Sequence, residues 1–142
     1  MRSYDPTEVT VVFNSIVIDG YAAGTFVKVS RNQDAWSLQM GNSGSGARSR
    51  SPDKSGKFEF TLLASSPANG ILSAIAETDE LTGQGVGECQ VKDRGTLLAK
   101  CSAENAWVVK QPDFERGKEV GDITWTIESD NIELIHDGLI DA

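Results

Sequence analysis

Few residues of this chain are of the kinds that do covalent chemistry. There is one histidine, His136, and there are two cysteines, Cys89 and Cys101, in 142 residues. A metal or nucleophilic site needs several such side chains at converging spacings, and His136 has no Cys-x-x-Cys or His-x-x-x-His partner. A lone histidine is more often structural or solvated than catalytic. No Gly-x-Ser-x-Gly elbow is present to expose an activated serine. Gly83-Gln84-Gly85-Val86-Gly87 has glycines spaced like a nucleotide-binding turn, but that turn must follow a strand and open a helix. Here a helical pattern precedes it and a strand pattern follows, so the reading is rejected. Asp79-Glu80 reads as a polar helix end, and no calcium-loop spacing occurs. The sequence therefore predicts no enzyme: no catalytic residue, no cofactor and no metal.

The cysteines flank Asp93-Arg94-Gly95, which suggests a hairpin turn. Centring the hairpin on Arg94 pairs Lys92 with Thr96 and Cys89 with Ala99. Cys101 then lies diagonally from Cys89 on the same face, roughly 7–8 Å away. That is long for a disulfide, so both are expected to be free thiols that pack in the interior.

The elements around these residues are mostly strands. Val9, Val11 and Phe13 alternate with polar or smaller residues, Asn14-Ser15 turns, and Ile16-Val17-Ile18 returns. Thr25–Ser30 and Ala35–Met40 are expected to form a second pair across Asn32-Gln33-Asp34. Phe58, Phe60 and Leu62 alternate along another strand. Val86–Val91, Thr96–Cys101, Trp107–Lys110, Asp122–Glu128 and Asn131–Ile135 follow. One helix interrupts them. Ser66 is a good N-cap, Pro67 suits the first helical position, and Ala68, Ile71, Leu72, Ile75 and Ala76 make an apolar face. The expected fold is mainly β, a twisted β-sandwich or half-barrel in one domain, with one flanking α-helix.

Between two strand patterns lies Gly41–Gly56, a run with no large apolar residue. It starts Gly/Ser-rich and then becomes charged, with Arg48, Arg50, Asp53 and Lys54. A connection this long is either solvated and mobile or functional. Extended, it would reach on the order of 50 Å. The functional reading is an arm that orders on a neighbouring subunit. Glu77, Asp79 and Glu80 crowd the helix C-terminus, where partial negative charge makes acids unfavourable. They are either solvated or completed by cations from elsewhere.

Net charge −8 and a pI near 4.6 argue against a surface that grips nucleic acid. No signal-peptide or membrane-spanning pattern is visible, so the chain is expected to be made in a reducing cytosol without a membrane anchor.

Tyr4-Asp5-Pro6 leading into Val9-Thr10-Val11, Gly24-Thr25-Phe26-Val27 and Arg31-Asn32 carry a resemblance. It continues in Ala47-Arg48-Ser49-Arg50-Ser51, Asp53-Lys54-Ser55-Gly56, Ser66-Pro67 and Leu72-Ser73-Ala74-Ile75. It closes on Gly117-Lys118-Glu119-Val120-Gly121 before Trp125-Thr126-Ile127-Glu128. In this order the pieces resemble the tail tube proteins of contractile-tailed, myovirus-type phages and prophages. Residues 136–142 extend past the match as a C-terminal tail. The resemblance implies homo-hexameric rings whose inner sheets join into a continuous β-barrel lumen, stacked into a tube within the virion.

The partners implied are a tail sheath protein, a baseplate or initiator, a tail terminator, and a tape measure protein in the lumen during assembly. Genomic DNA would pass without specific binding. Thr124, Thr126 and Glu128, or Lys28 and Ser30 with Thr25, are alternative candidates for the wet wall, on which acids should outnumber bases. Arg48, Arg50, Asp53 and Lys54, with Glu77, Asp79 and Glu80, are the expected inter-subunit contacts. A terminator, baseplate or injection-device protein of the same fold, or a monomeric ligand-binding β-sandwich, are the other readings.

Overall fold

Alternating apolar residues need a surface to bury against, and here the strands supply it to one another by coiling around a single core. The computed structural model describes residues 5–93 and 98–138. A 3-10 turn at Pro6–Glu8, capped by Asp5, leads into β1 (Val9–Phe13) and β2 (Ile16–Ile18). The next strands are β3 (Val27–Arg31), β4 (Trp36–Met40), β5 (Gly46–Arg50) and β6 (Gly56–Leu63). The helix α1 (Ala68–Thr82) is followed by β7 (Gly87–Asp93), β8 (Leu98–Val108), β9 (Asp122–Ser129) and β10 (Glu133–Gly138).

Eight strands make one antiparallel sheet in the order β2-β1-β7-β8-β9-β6-β3, with β10 joined to β8. The β1–β2 turn is the expected one, with Asn14 and Ser15 both at positive φ, as a two-residue hairpin loop requires. β8 is the pivot. On one side it pairs with β7, and on the other its first half pairs with β10 while Ala106, Trp107 and Val108 pair with β9. Inward residues Val11, Phe13, Phe58, Phe60, Leu62, Cys89, Trp125 and Ile127 are buried together. Val27 and Val29 from one edge and Leu134 from β10 pack on the same core, which makes an open, coiled half-barrel.

Several expected pairings do not form. β3 and β4 are sequential but do not pair: β3 pairs with β6, and β4 pairs with β5. Val27 and Val29 must meet Phe60 and Phe58 to bury them, whereas β4 offers no buried face. The run at 41–56 is not one long loop: residues 46–50 are strand, residues 41–45 turn before it, and residues 51–55 connect it to β6. The expected strands at 96–101 and 107–110 are largely one, β8. His136 belongs to β10 rather than to a tail, and Leu139–Ala142 lie outside the described residues.

Across β7 and β8 Lys92 faces Lys100 and Cys89 faces Ala103, so the hairpin centre is displaced from Arg94, which itself lies outside the described residues. Cys101, opposite Val91, still falls diagonally from Cys89, and both thiols are free and buried. Burial pushes the Cys89 thiol up to about 12, with Cys101 beside it adding to the rise. Burial likewise pushes the Tyr21 hydroxyl up to about 12. A folded pKa above the unfolded one contributes stability at neutral pH that is lost as pH rises. Denaturant midpoints should therefore hold from pH 7 to about 9 and fall between about pH 9 and 12, and Cys89→Ala should flatten part of that fall. A flat profile to pH 11 would contradict this.

Helix α1 lays Ala68, Leu72 and Ala76 into the core, while Ile71 is left 40% exposed at the edge of the apolar stripe. The Ser66 hydroxyl accepts from the Ala68 N–H at 3.3 Å and donates to the Asp19 carbonyl at 2.6 Å, so it ties the helix start to β2. Gly83, at φ 70°, ends the helix, its N–H donating to the Asp79 carbonyl. Gly56 permits the close approach of β3 to β6. An added Cβ would lie 2.3 Å from the Ser30 carbonyl oxygen and 2.9 Å from Ile132. Backbone cannot yield as a side-chain tip can, so Gly56→Ala should cost about 1–3 kcal/mol. Equilibrium unfolding would show it, and an unchanged midpoint would refute the steric argument.

Candidate functional site: a free-standing hairpin and the surfaces that could receive it

β4 and β5 form a two-stranded sheet separate from the main one, and every residue of both strands is exposed. The Trp36–Arg50, Leu38–Arg48 and Met40–Gly46 pairs put Trp36, Leu38, Met40, Arg48 and Arg50 on one face. Ser37, Gln39, Ala47 and Ser49 take the other. Leu38 is 72% and Met40 60% exposed. The Arg48 guanidinium stacks 3.9 Å from the Trp36 ring centroid, covering part of the indole. Isolated two-stranded hairpins are marginally stable in water. A face that combines three large apolar side chains with two cations is therefore suited to being covered.

The root of the hairpin is tightly held. Ser51 N–H donates to the Ala35 carbonyl at 2.8 Å, and Asn32 N–H to the Ser55 carbonyl at 3.0 Å. The expected site residues divide here. Arg48 and Arg50 are on the hairpin, but Asp53 is part of the root, its carboxylate accepting from the Ser55 N–H at 2.9 Å. Hydrogen bonding from the Ser55 hydroxyl, and then from its N–H, lowers the Asp53 carboxyl from its ordinary value. Lys54 bridges to Asn131, and its carbonyl accepts from the Ile132 N–H. It lines a polar crevice of about 390 Å³ with Arg31, Glu104, Asp130 and Glu133.

The acidic helix end is partly engaged within the chain. Asp79 accepts from the Gly85 N–H at 3.0 Å, a contact that requires glycine, since a Cβ there would lie 2.4 Å from that of Asp79. Glu77 and Glu80 are exposed. Missing from the sequence reading is a groove of about 870 Å³ lined by Val9, Val17, Tyr21, Ala22 and Phe26 with Asp19 at its edge. Its only local sign was the pairing of Tyr21 and Phe26, whose rings lie 4.9 Å apart.

The outward face of β3, β6 and β9 is polar. Register sets Lys28, Glu59 and Thr126 in one row across β3, β6 and β9, and Ser30, Lys57 and Glu128 in the next. The two candidate wet strands are thus one continuous surface. Lys57 pairs with Glu59 at 2.9 Å, and the Thr61 and Thr124 hydroxyls lie 3.1 Å apart. Thr25 lies just before β3 and is exposed. Trp125 is in the core with its indole N–H donating to Asn69, whereas Trp36 is on the hairpin. Among the described residues, no group of three or more His, Cys, Asp or Glu is placed to hold a metal. No described helix is long and apolar enough to cross a membrane.

No family model matches the sequence, and no curated protein matches it. Solved structures do share the fold. The tube-terminating cap of the anti-feeding prophage superposes with a TM-score of 0.65 at 9% identity, over 96% of this chain and 93% of that one. The sheath/tube terminator of an extracellular contractile injection system, PVC, gives 0.66 at 11% identity, over 95% and 98%. A chain of the sheath–tube complex of that system gives 0.63 at 13%, over 94% and 92%. The chain therefore has a tail-tube-type fold, mainly β with one helix and an open sheet.

Proposed function

We propose that this chain is a structural subunit of a phage or prophage tail tube, forming homo-hexameric rings that stack into a hollow channel. The observation that carries the reading is the hairpin, whose apolar and cationic face is left uncovered among the described residues, on a fold shared with tube and terminator proteins. The open edge at β3 adds to it, because unpaired edges are removed when a sheet continues into a neighbour.

The polar face of β3, β6 and β9 is the proposed lumen wall. Asp122, Glu59 and Glu128 stand there against Lys28 and Lys57, a small acid excess that leaves DNA few phosphate contacts to grip. The hairpin, through Arg48 and Arg50, is the proposed inter-ring contact, and Asp53 and Lys54 hold its root. Glu77, Asp79 and Glu80 remain proposed contacts at the helix end. A sheath protein, a baseplate or initiator, a terminator and a tape measure protein are the proposed partners within the virion, with genomic DNA as cargo.

The resemblance to terminator structures supports a second reading, a ring that ends a tube. Negative-stain electron microscopy across a concentration series separates the two. Stacked tubes with a central channel are expected, single rings would favour the terminator, and monomers at every concentration would overturn both.

A further inference from the structure

We infer that the groove between β1, the end of β2 and the start of β3 is the receptor for the β4–β5 hairpin of a second copy of this chain. The inference rests on the proposed assembly role of the hairpin and assigns the partner surface. The two features lie at opposite ends of the same strands. The hairpin leaves the body where Arg31 pairs with Gly56, at the end of β3 and the beginning of β6. The groove is at the other end, where Tyr21 bridges to Leu62 and the Leu63 N–H donates to the Gly20 carbonyl. The eight residues of β6 separate them, roughly 25 Å. A projection at one end and a recess at the other suit a head-to-tail contact, which repeats from copy to copy.

The chemistry of the two surfaces matches. Val9, Val17, Tyr21 and Phe26 offer an apolar floor for Trp36, Leu38 and Met40. Asp19 lines the groove, and Asp5 and Glu8 belong to the 3-10 turn whose Pro6 and Thr7 complete its wall. Asp19 thus supplies a carboxylate in the groove itself, and Asp5 and Glu8 flank in sequence the Pro6 and Thr7 of its wall, where Arg48 and Arg50 would arrive. Asp19 and Asp5 are already oriented, by the Gly20 N–H at 2.7 Å and the Thr7 N–H at 2.9 Å. The acidic helix end, where Glu77 and Glu80 are exposed, is the alternative receptor.

Cross-linking tests the assignment. Val17 is 62% and Leu38 72% exposed, so cysteines there leave the core untouched. A chain carrying Leu38→Cys and Val17→Cys, concentrated and treated with a short bismaleimide, should give a covalent ladder on a denaturing gel. A chain carrying Leu38→Cys and Glu80→Cys should give at least tenfold less. A ladder only in the second chain, or equal ladders in both, would overturn the groove assignment while leaving the hairpin as an assembly element. A ladder in neither would overturn the hairpin reading itself.

Discussion

Arg48→Glu combined with Arg50→Glu is expected to abolish stacking and leave the folded subunit unchanged. Both side chains are on a hairpin that shares no strand pairing with the main sheet, so reversal does not reach the core. Arg48 loses its stacking on Trp36, a contact of about 0.5–1 kcal/mol at an exposed site. Each inter-subunit ion pair contributes only about 0–1 kcal/mol by itself. In the proposed hexameric ring, six equivalent contacts at about 1 kcal/mol would lose about 6 kcal/mol, and each 1.4 kcal/mol is tenfold. That is more than four orders of magnitude in the stacking equilibrium. Sedimentation and electron microscopy should show subunits or single rings, with the thermal midpoint within a degree or two of the parent. Tubes at the parental yield would remove the hairpin from the assembly contact.

The largest loss of stability is expected from Phe60→Ala. Phe60 is 1% exposed and lies between Val27 of β3 and Trp125 of β9 in register, at the centre of the β3–β6–β9 layer. Truncating a buried phenylalanine removes its transfer free energy and leaves a cavity that close-packed neighbours fill only in part, about 3–5 kcal/mol. A domain is stable by only about 5–15 kcal/mol in all, so the variant should be near unfolding at 37 °C. Urea titration at 25 °C gives the number, and Phe60→Leu should recover most of it. A loss under 1 kcal/mol would mean that this layer is not packed as an interior.

Much of this was visible in local patterns. Phe58, Phe60 and Leu62 alternate inward as expected, as do Val11 and Phe13 and also Trp125 and Ile127, because one buried face forces period two on any strand. The helix could be read from its apolar face, but it starts one residue later than expected: Pro67 takes the cap position, and the Ser66 hydroxyl accepts from the Ala68 N–H from just outside it. The free, buried thiols also followed from spacing, although the register used to place them was displaced.

The hairpin could not be read in this way. Gly46-Ala47-Arg48-Ser49-Arg50 buries nothing, so no apolar alternation marks it as a strand, and only its register with β4 makes it one. The groove is assembled from two stretches, residues 6–10 and 17–26, and neither one alone signals a recess.

By itself, then, the sequence determined which faces must be buried and which segment is helical. Tertiary structure decided which strands are neighbours, because pairing is chosen between distant segments by how much apolar surface each partner can cover. It paired β3 with β6 instead of β4 and released β4 and β5 as a projecting hairpin. It merged the two candidate wet strands into one wall and set the groove at the far end of the molecule from the arm.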